Sequence, residues 1–175
     1  FNTIHNVMMK MLKESDNLYA ESMFYQLAAA TGNRPAKASH AASVIERLIT
    51  KVGLNPRRYR IADGSGLSLY NYLSAEVEVA LLRYAFRNNN IYLHLHPALP
   101  EAGVDGTLRS RMKGTFTRGN VFAKTGTVTG ISSLAGYCTA ANGHRLAFSI
   151  INQGVMHASN ARRFQDRVCT LLCQA

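Results

Sequence analysis

Acidic residues are scarce in this chain. Its 175 residues hold 10 Asp and Glu against 20 Lys and Arg, a formal charge of +10. That imbalance favours anionic partners such as nucleic acid, an anionic membrane surface or an acidic polymer. The basic residues are dispersed, however, in small groups: Arg57, Arg58 and Arg60; Arg109, Arg111 and Lys113; Arg162 and Arg163. No nucleic-acid motif and no aromatic platform accompanies them, so nucleic acid is not an expected partner. Long apolar runs are also lacking. None reaches the roughly 18 residues of a membrane-spanning helix. Cysteine is sparse, with only Cys138, Cys169 and Cys173. No pair has metal-ligand spacing, and three cysteines do not make a disulfide scaffold. Neither a metal nor a cofactor is expected. Cys169 and Cys173 lie one helical turn apart and read as buried thiols. In an oxidising compartment, a bridge from Cys138 to one of them is the alternative.

What is present is a globular chain. The composition is 47% hydrophobic and 17% charged, and the length suits one domain with a real core. The first residue is Phe1, and a helical pattern is already running at Ile4. The chain therefore reads as starting inside a longer protein, with any export signal outside it.

Ile4, Val7, Met8, Met11 and Leu12 mark a first helix with one buried face. It stops at Ser15-Asp16-Asn17, whose short polar side chains favour caps and turns. Leu18, Met23, Phe24 and Leu27 carry a second helix to about Gly32, and a third spans about Ala36 to Val52, closed by Gly53. Tyr59 to Ile61 reads as a short strand and Asp63-Gly64-Ser65-Gly66-Leu67-Ser68 as a turn. Ser74 is a candidate N-cap for a helix to about Arg87, ended by Asn88-Asn89-Asn90. The prolines and glycines between Ile91 and Arg118 predict a structured loop with one helical turn at most. Three strands follow, at about 120–128, 131–140 and 145–152, joined at Thr129-Gly130 and Asn142-Gly143. A last helix, about Ser159 to Gln174, is expected to cover the sheet with Phe164, Val168, Leu171 and Leu172. The fold class is thus α+β. Residues 1–118 are mostly helical, and 119–175 form an antiparallel sheet with a covering helix.

Within the first strand, Lys124-Thr125-Gly126-Thr127 stands out. Lys124 and Gly126 share one face of a pleated strand and Thr125 takes the other. A cation, hydroxyls and an unobstructed backbone along one edge can grip a carboxylate and polarise a carbonyl. Alone, the tetrad is equally an edge strand with a solubilising lysine, and Ser-Asp-Asn alone is a helix cap. Together, and in this order, they are two of the three elements that accompany a Ser-x-x-Lys nucleophile in acyl-transferring serine enzymes.

With Ser15-Asp16-Asn17, Asp63-Gly64-Ser65-Gly66-Leu67-Ser68, Gly103-Val104-Asp105-Gly106-Thr107-Leu108 and Ala123-Lys124-Thr125-Gly126-Thr127 in sequence, nearly the whole chain resembles one family. It looks like the C-terminal part of the D-Ala-D-Ala carboxypeptidase/endopeptidases of the penicillin-binding protein 4 type, low-molecular-weight class C penicillin-binding proteins. The resemblance implies a serine β-lactamase/DD-peptidase fold. It implies action on peptidoglycan stem peptides ending in D-Ala-D-Ala and covalent capture of β-lactams. The implied location is the periplasm, free or peripheral to the membrane. Ser15, Asn17 and Lys124 would be catalytic, and Thr125, Gly126 and Thr127 would bind substrate.

In that reading Ser15 relays a proton, Asn17 holds a substrate carbonyl, and the Thr127 N–H serves the oxyanion. Asp16 is as well explained by an N-cap role, and Asp63 and Ser65 by holding a turn. The family's Ser-x-x-Lys would precede Ser15 and is missing there. The single such motif, Ser110-Arg111-Met112-Lys113, follows Ser-Asp-Asn and is set aside. A companion N-terminal segment of the same protein, or self-association, is therefore expected. Two alternatives stay open: a β-lactamase-like hydrolase, although no Glu has the Glu-x-x-Leu-Asn context of class A enzymes, and a non-catalytic binding or structural fragment.

Overall fold

The computed structural model describes residues 3–175. Helix α1 (Ile4–Lys13) starts at Thr3, whose hydroxyl accepts the Asn6 N–H. Helix α2 (Asn17–Ala30) follows after a three-residue break and packs on α3 (Ala38–Lys51). Phe24, Ala28 and Ala41 form the core between them. The expected strand at Tyr59–Ile61 reduces to one bridge, Arg60 to Tyr72, which closes a small loop around the Asp63 turn. Helix α4 (Ala75–Arg87) starts after Ser74 as expected. The Ser74 side chain makes no cap bond, however, and its buried hydroxyl has no partner among the described residues.

The loop expected from Ile91 contains a helix, α5 (Asn89–Ala98). Asn88 serves both neighbours, as the C-cap of α4 and the N-cap of α5. Pro97 stands in the last turn, so the one bond it forgoes, to the Leu93 carbonyl, is lost only at the end of the helix, which stops one residue later. A 3₁₀ turn at Gly106–Leu108 completes the segment.

Strands β1 (Phe122–Val128), β2 (Ile131–Thr139) and β3 (Arg145–Gln153) form an antiparallel sheet in that order. Gly130 and Gly143 supply the positive φ that the tight turns need, at 74° and 86°. Alternation sorts the two faces. Ala123, Leu134, Cys138 and Phe148 meet Leu108, Met112, Cys169 and Cys173 in the principal core, beneath helix α6 (Ala158–Gln174). Helix α4 covers the opposite face, and Tyr92 and His96 of α5 pack on Tyr137 and Phe122 at its edge.

The expected facing of α6 is corrected in part: Leu172 packs on the core as expected, but two of the other named residues do not. Phe164 and Leu171 are 54% and 67% exposed, while Ala161, Gln165, Cys169 and Cys173 are buried. Small residues let the helix lie close to the sheet. Gln165 is accommodated because Ser132, Asn152 and Arg111 satisfy its amide. All three cysteines are free and buried.

Candidate active site

Ser15 is the hinge between two helices. Glu14 ends α1, and Asp16 caps α2 by accepting the N–H groups of Leu18 and Tyr19 at 3.0 and 3.1 Å. Asp16 thus has a full structural role. Held between these caps, Ser15 takes φ 58°, left-handed backbone that a serine adopts at a cost.

Its hydroxyl meets Lys124. The ammonium donates to Ser15 Oγ at 2.8 Å and to the Thr125 carbonyl at 2.5 Å. Burial pulls the lysine pKa below its ordinary value. The two motifs predicted to cooperate are therefore in direct contact across 109 residues of sequence.

Strand β1 presents an open edge here. Near its start, the Ala123 N–H donates outward to the Pro100 carbonyl at 3.0 Å. Backbone alternation then aims the Thr125 and Thr127 N–H groups to the same outer side, away from β2. This is where an oxyanion donor has to point. Thr127 is exposed, and Gly126 faces Ser133 so tightly that an added Cβ would lie 2.4 Å from its hydroxyl. Thr125 turns to the other face, where its hydroxyl donates to Thr107 Oγ1 at 3.0 Å.

Ser15, Asn17, Lys124, Thr125, Gly126 and Thr127 all line one cleft of about 710 Å³. Helix α2 and the Asp63 turn form one wall, and β1 with the ends of β2 and β3 forms the other. Ser110 does not line it and lies exposed outside.

Sequence reasoning assigned no role to Lys13, Glu21, Asp105, Thr107 or Glu78, which hold these walls together with the expected Asp63 turn. Lys13 pairs with Asp105 at 2.5 Å, and Asp105 also accepts the Glu101 N–H at 2.9 Å. Gly106 lies so close to α1 that a Cβ there would stand 2.7 Å from the Lys13 carbonyl. With Thr107 bonded to Thr125, the Gly103–Leu108 motif fastens the Ser15 turn to the Lys124 strand. Across the cleft, Glu21 accepts the N–H groups of Gly64 and Ser65 at 3.1 and 2.9 Å. Burial pushes the Asp63 carboxyl up, but bonds from Asn71, Gly66, Ser68 and Ser65 outweigh it and hold the pKa below the usual carboxylate value. Asp63 and Ser65 hold a turn. Glu78 completes the floor, accepting from Ser149 at 2.6 Å, with its pKa raised by burial.

Known proteins share this arrangement of chain. D-alanyl-D-alanine carboxypeptidase DacB of Haemophilus influenzae is 36% identical over 146 residues, covering 82% of this chain and 30% of its own length. D-alanyl-D-alanine carboxypeptidase of Actinomadura sp. strain R39 is 34% identical over 157 residues, 86% of this chain and 28% of that protein. This chain thus spans under a third of either relative. The crystal structure of penicillin binding protein 4 from Haemophilus influenzae superposes with a TM-score of 0.88 at 31% identity, over 97% of this chain and 40% of that one. That protein is also known in complex with a β-lactam. The TLA-3 extended-spectrum β-lactamase shares the fold, at TM-score 0.67 and 18% identity over 98% of this chain and 62% of that one. Residues 2–174 match one family throughout, and the chain belongs to it: the D-Ala-D-Ala carboxypeptidase 3 (S13) family.

Proposed function

We propose that this chain is the part of a serine-type D-Ala-D-Ala carboxypeptidase/endopeptidase that completes its acyl-transfer site. The observation that carries this reading is the 2.8 Å bond from Lys124 to Ser15 at the mouth of a cleft. The nucleophilic serine belongs to a Ser-x-x-Lys segment elsewhere in the parent protein, seated against this cleft. The peptidoglycan stem peptide enters with its terminal carboxylate toward Lys124 and the Thr125–Thr127 edge.

The chemistry then divides among few groups. The nucleophile attacks the penultimate D-Ala carbonyl, and its proton passes to the lysine of its own motif. The Thr127 N–H supports the oxyanion. Ser15 accepts and donates a proton in turn, delivering it to the leaving D-Ala nitrogen. A hydroxyl does this without ionising. Lys124 donates to the Ser15 oxygen, which keeps that hydroxyl oriented, and its charge attracts the substrate's terminal carboxylate. Asn17 donates its amide to a substrate carbonyl. Hydrolysis of the ester by water releases the shortened peptide. A β-lactam follows the same first step, and its acyl-enzyme persists. The periplasm is the compartment in which this substrate is met.

Labelling of the full-length protein by a fluorescent penicillin tests the reading. One covalent label is expected, on a serine outside residues 1–175, together with release of D-Ala from a D-Ala-D-Ala peptide. Absence of both would leave a binding or structural role. Label on Ser110 would reassign the nucleophile.

A further inference from the structure

A second cavity, of about 670 Å³, opens at the other end of the same sheet face. Phe122, Tyr137 and Ala147 lie in register at its base. Lys124, Ala135 and Ser149 form the corresponding row two residues along, toward the first cleft. The wall of the cavity is aromatic. Tyr92 meets Phe86 edge-on at 5.1 Å and Tyr137 at 5.4 Å, and His96 lies on Phe122 at 4.1 Å.

Three arginines surround this wall: Arg83 and Arg87 from successive turns of α4, and Arg145 from the start of β3. Arg145 stands 6.0 Å from the Phe86 ring centre. No Asp or Glu lines the cavity, and none of the three arginines is in an ion pair among the described residues. Folding has gathered three like charges around an aromatic-walled hollow with no acidic side chain in its lining. Arginine is the side chain best suited to hold a carboxylate or phosphate, and three of them line one hollow. The volume is that of a small-ligand site, and its lining joins an aromatic wall to the three arginines, His96, Asn120 and Thr139.

We propose that this cavity is a second binding site, separate from the Lys124 cleft, for a compound that carries an oxyanion on a ring. The carboxylate or phosphate lies among Arg83, Arg87 and Arg145. The ring, whether sugar or aromatic, packs against Phe86 and Tyr92. The site rests on none of the residues assigned to acyl transfer and stands whether or not that assignment holds. His96 reports on it. Burial, then the charges of Arg145 and Lys13, hold its pKa below the ordinary histidine value. An anion beside Arg145 offsets part of that field, so the His96 titration moves upward on binding.

Calorimetry on the full-length protein with N-acetylmuramic acid and with 1-naphthoate tests the proposal, with neutral N-acetylglucosamine as control. Saturable binding of at least one anion is expected. It should weaken at least about tenfold in Arg87→Gln/Arg145→Gln, persist in Lys124→Ala, and be accompanied by the upward His96 shift in NMR titration. Both arginines are exposed, so the double variant keeps the fold. Binding of the sugar acid alone identifies a cell-wall saccharide as the source, and binding of the naphthoate alone an aromatic acid. The proposal is overturned if neither anion binds, if the neutral sugar binds equally, or if the arginine variant binds unchanged.

Discussion

Lys124 donates to the Ser15 hydroxyl at 2.8 Å, joining a strand to a helix–helix turn that lies 109 residues earlier. In the acyl-transfer reading that contact orients the proton relay. Lys124→Met and Ser15→Ala in the full-length protein should each slow acylation by β-lactams by about 10²- to 10⁴-fold. Lys124→Met carries a second expectation. Burial makes the charged lysine less favourable in the folded than in the unfolded chain. The penalty is borne in full below the depressed pKa and is relieved as pH rises from there toward 10.5, the ordinary value. The variant should therefore melt higher than the parent at neutral pH, and the gap should narrow in alkali. Normal acylation in both variants would remove these residues from the site.

The left-handed backbone at Ser15 separates its hydroxyl from its strain. Ser15→Gly loses the hydroxyl but adopts φ 58° freely. It should be more stable than the parent by about 0.5–1 kcal/mol while acylating as poorly as Ser15→Ala. A denaturant midpoint below that of the parent would show that the hydroxyl bond outweighs the backbone cost.

Gly64 is where the Asp63 turn touches α2. A Cβ there would stand 2.5 Å from Phe24 Cβ and 2.7 Å from the Ala20 carbonyl. Neither neighbour is the free end of a flexible side chain, so helix and turn must part. Gly64→Ala should cost about 1–3 kcal/mol. It should also loosen the bonds from Gly64 and Ser65 to Glu21, and hence the cleft wall. Urea unfolding gives the first quantity, and amide exchange at Gly64 and Ser65 the second.

The sheet was legible because its signals are local. Thr129-Gly130 and Asn142-Gly143 fix the hairpins, and Leu146, Phe148 and Ile150 alternate as expected, to the core side. Helix α5 was hidden by Pro97 and Pro100, although Tyr92, Leu95, His96 and Leu99 keep a helical spacing. The facing of α6 was obscured because hydrophobicity marks Phe164 and Leu171, whereas close packing selected Ala161, Gln165, Cys169 and Cys173. In the site, the meeting of Ser15 and Lys124 followed from paired motifs. Lys13 and Glu21 gave no such sign, and Asp105 and Thr107 stood out only within a motif without a role, since a polar contact between distant segments leaves no periodic trace in either.

The three thiols test the core beneath α6. Burial raises Cys138 and Cys169 to about 12, so neither is appreciably thiolate at pH 8. Iodoacetamide should modify no cysteine in the folded protein and all of Cys138, Cys169 and Cys173 in denaturant without reductant. Fewer than three labelled in denaturant would reveal a bridge from Cys138 to α6.

Burial disfavours the charge of Glu78 as it does that of Lys124, but for a carboxylate it moves the pKa the other way. Its carboxylate sits in the cleft floor, held by Ser149 at 2.6 Å, and burial raises its pKa above the ordinary 4.5. A raised carboxylate pKa means that the folded state holds its proton longer than the unfolded state. The favourable contribution is complete below about pH 4.5 and is lost as pH rises through the folded pKa. At neutral pH the charged form therefore weighs against folding. Glu78→Gln keeps an acceptor for Ser149 and removes that charge. It should melt higher than the parent at pH 7, with the difference vanishing near pH 4. A variant less stable at pH 7 would mean that the Glu78 charge is compensated in the cleft, and that this carboxylate faces a cation of the assembled site.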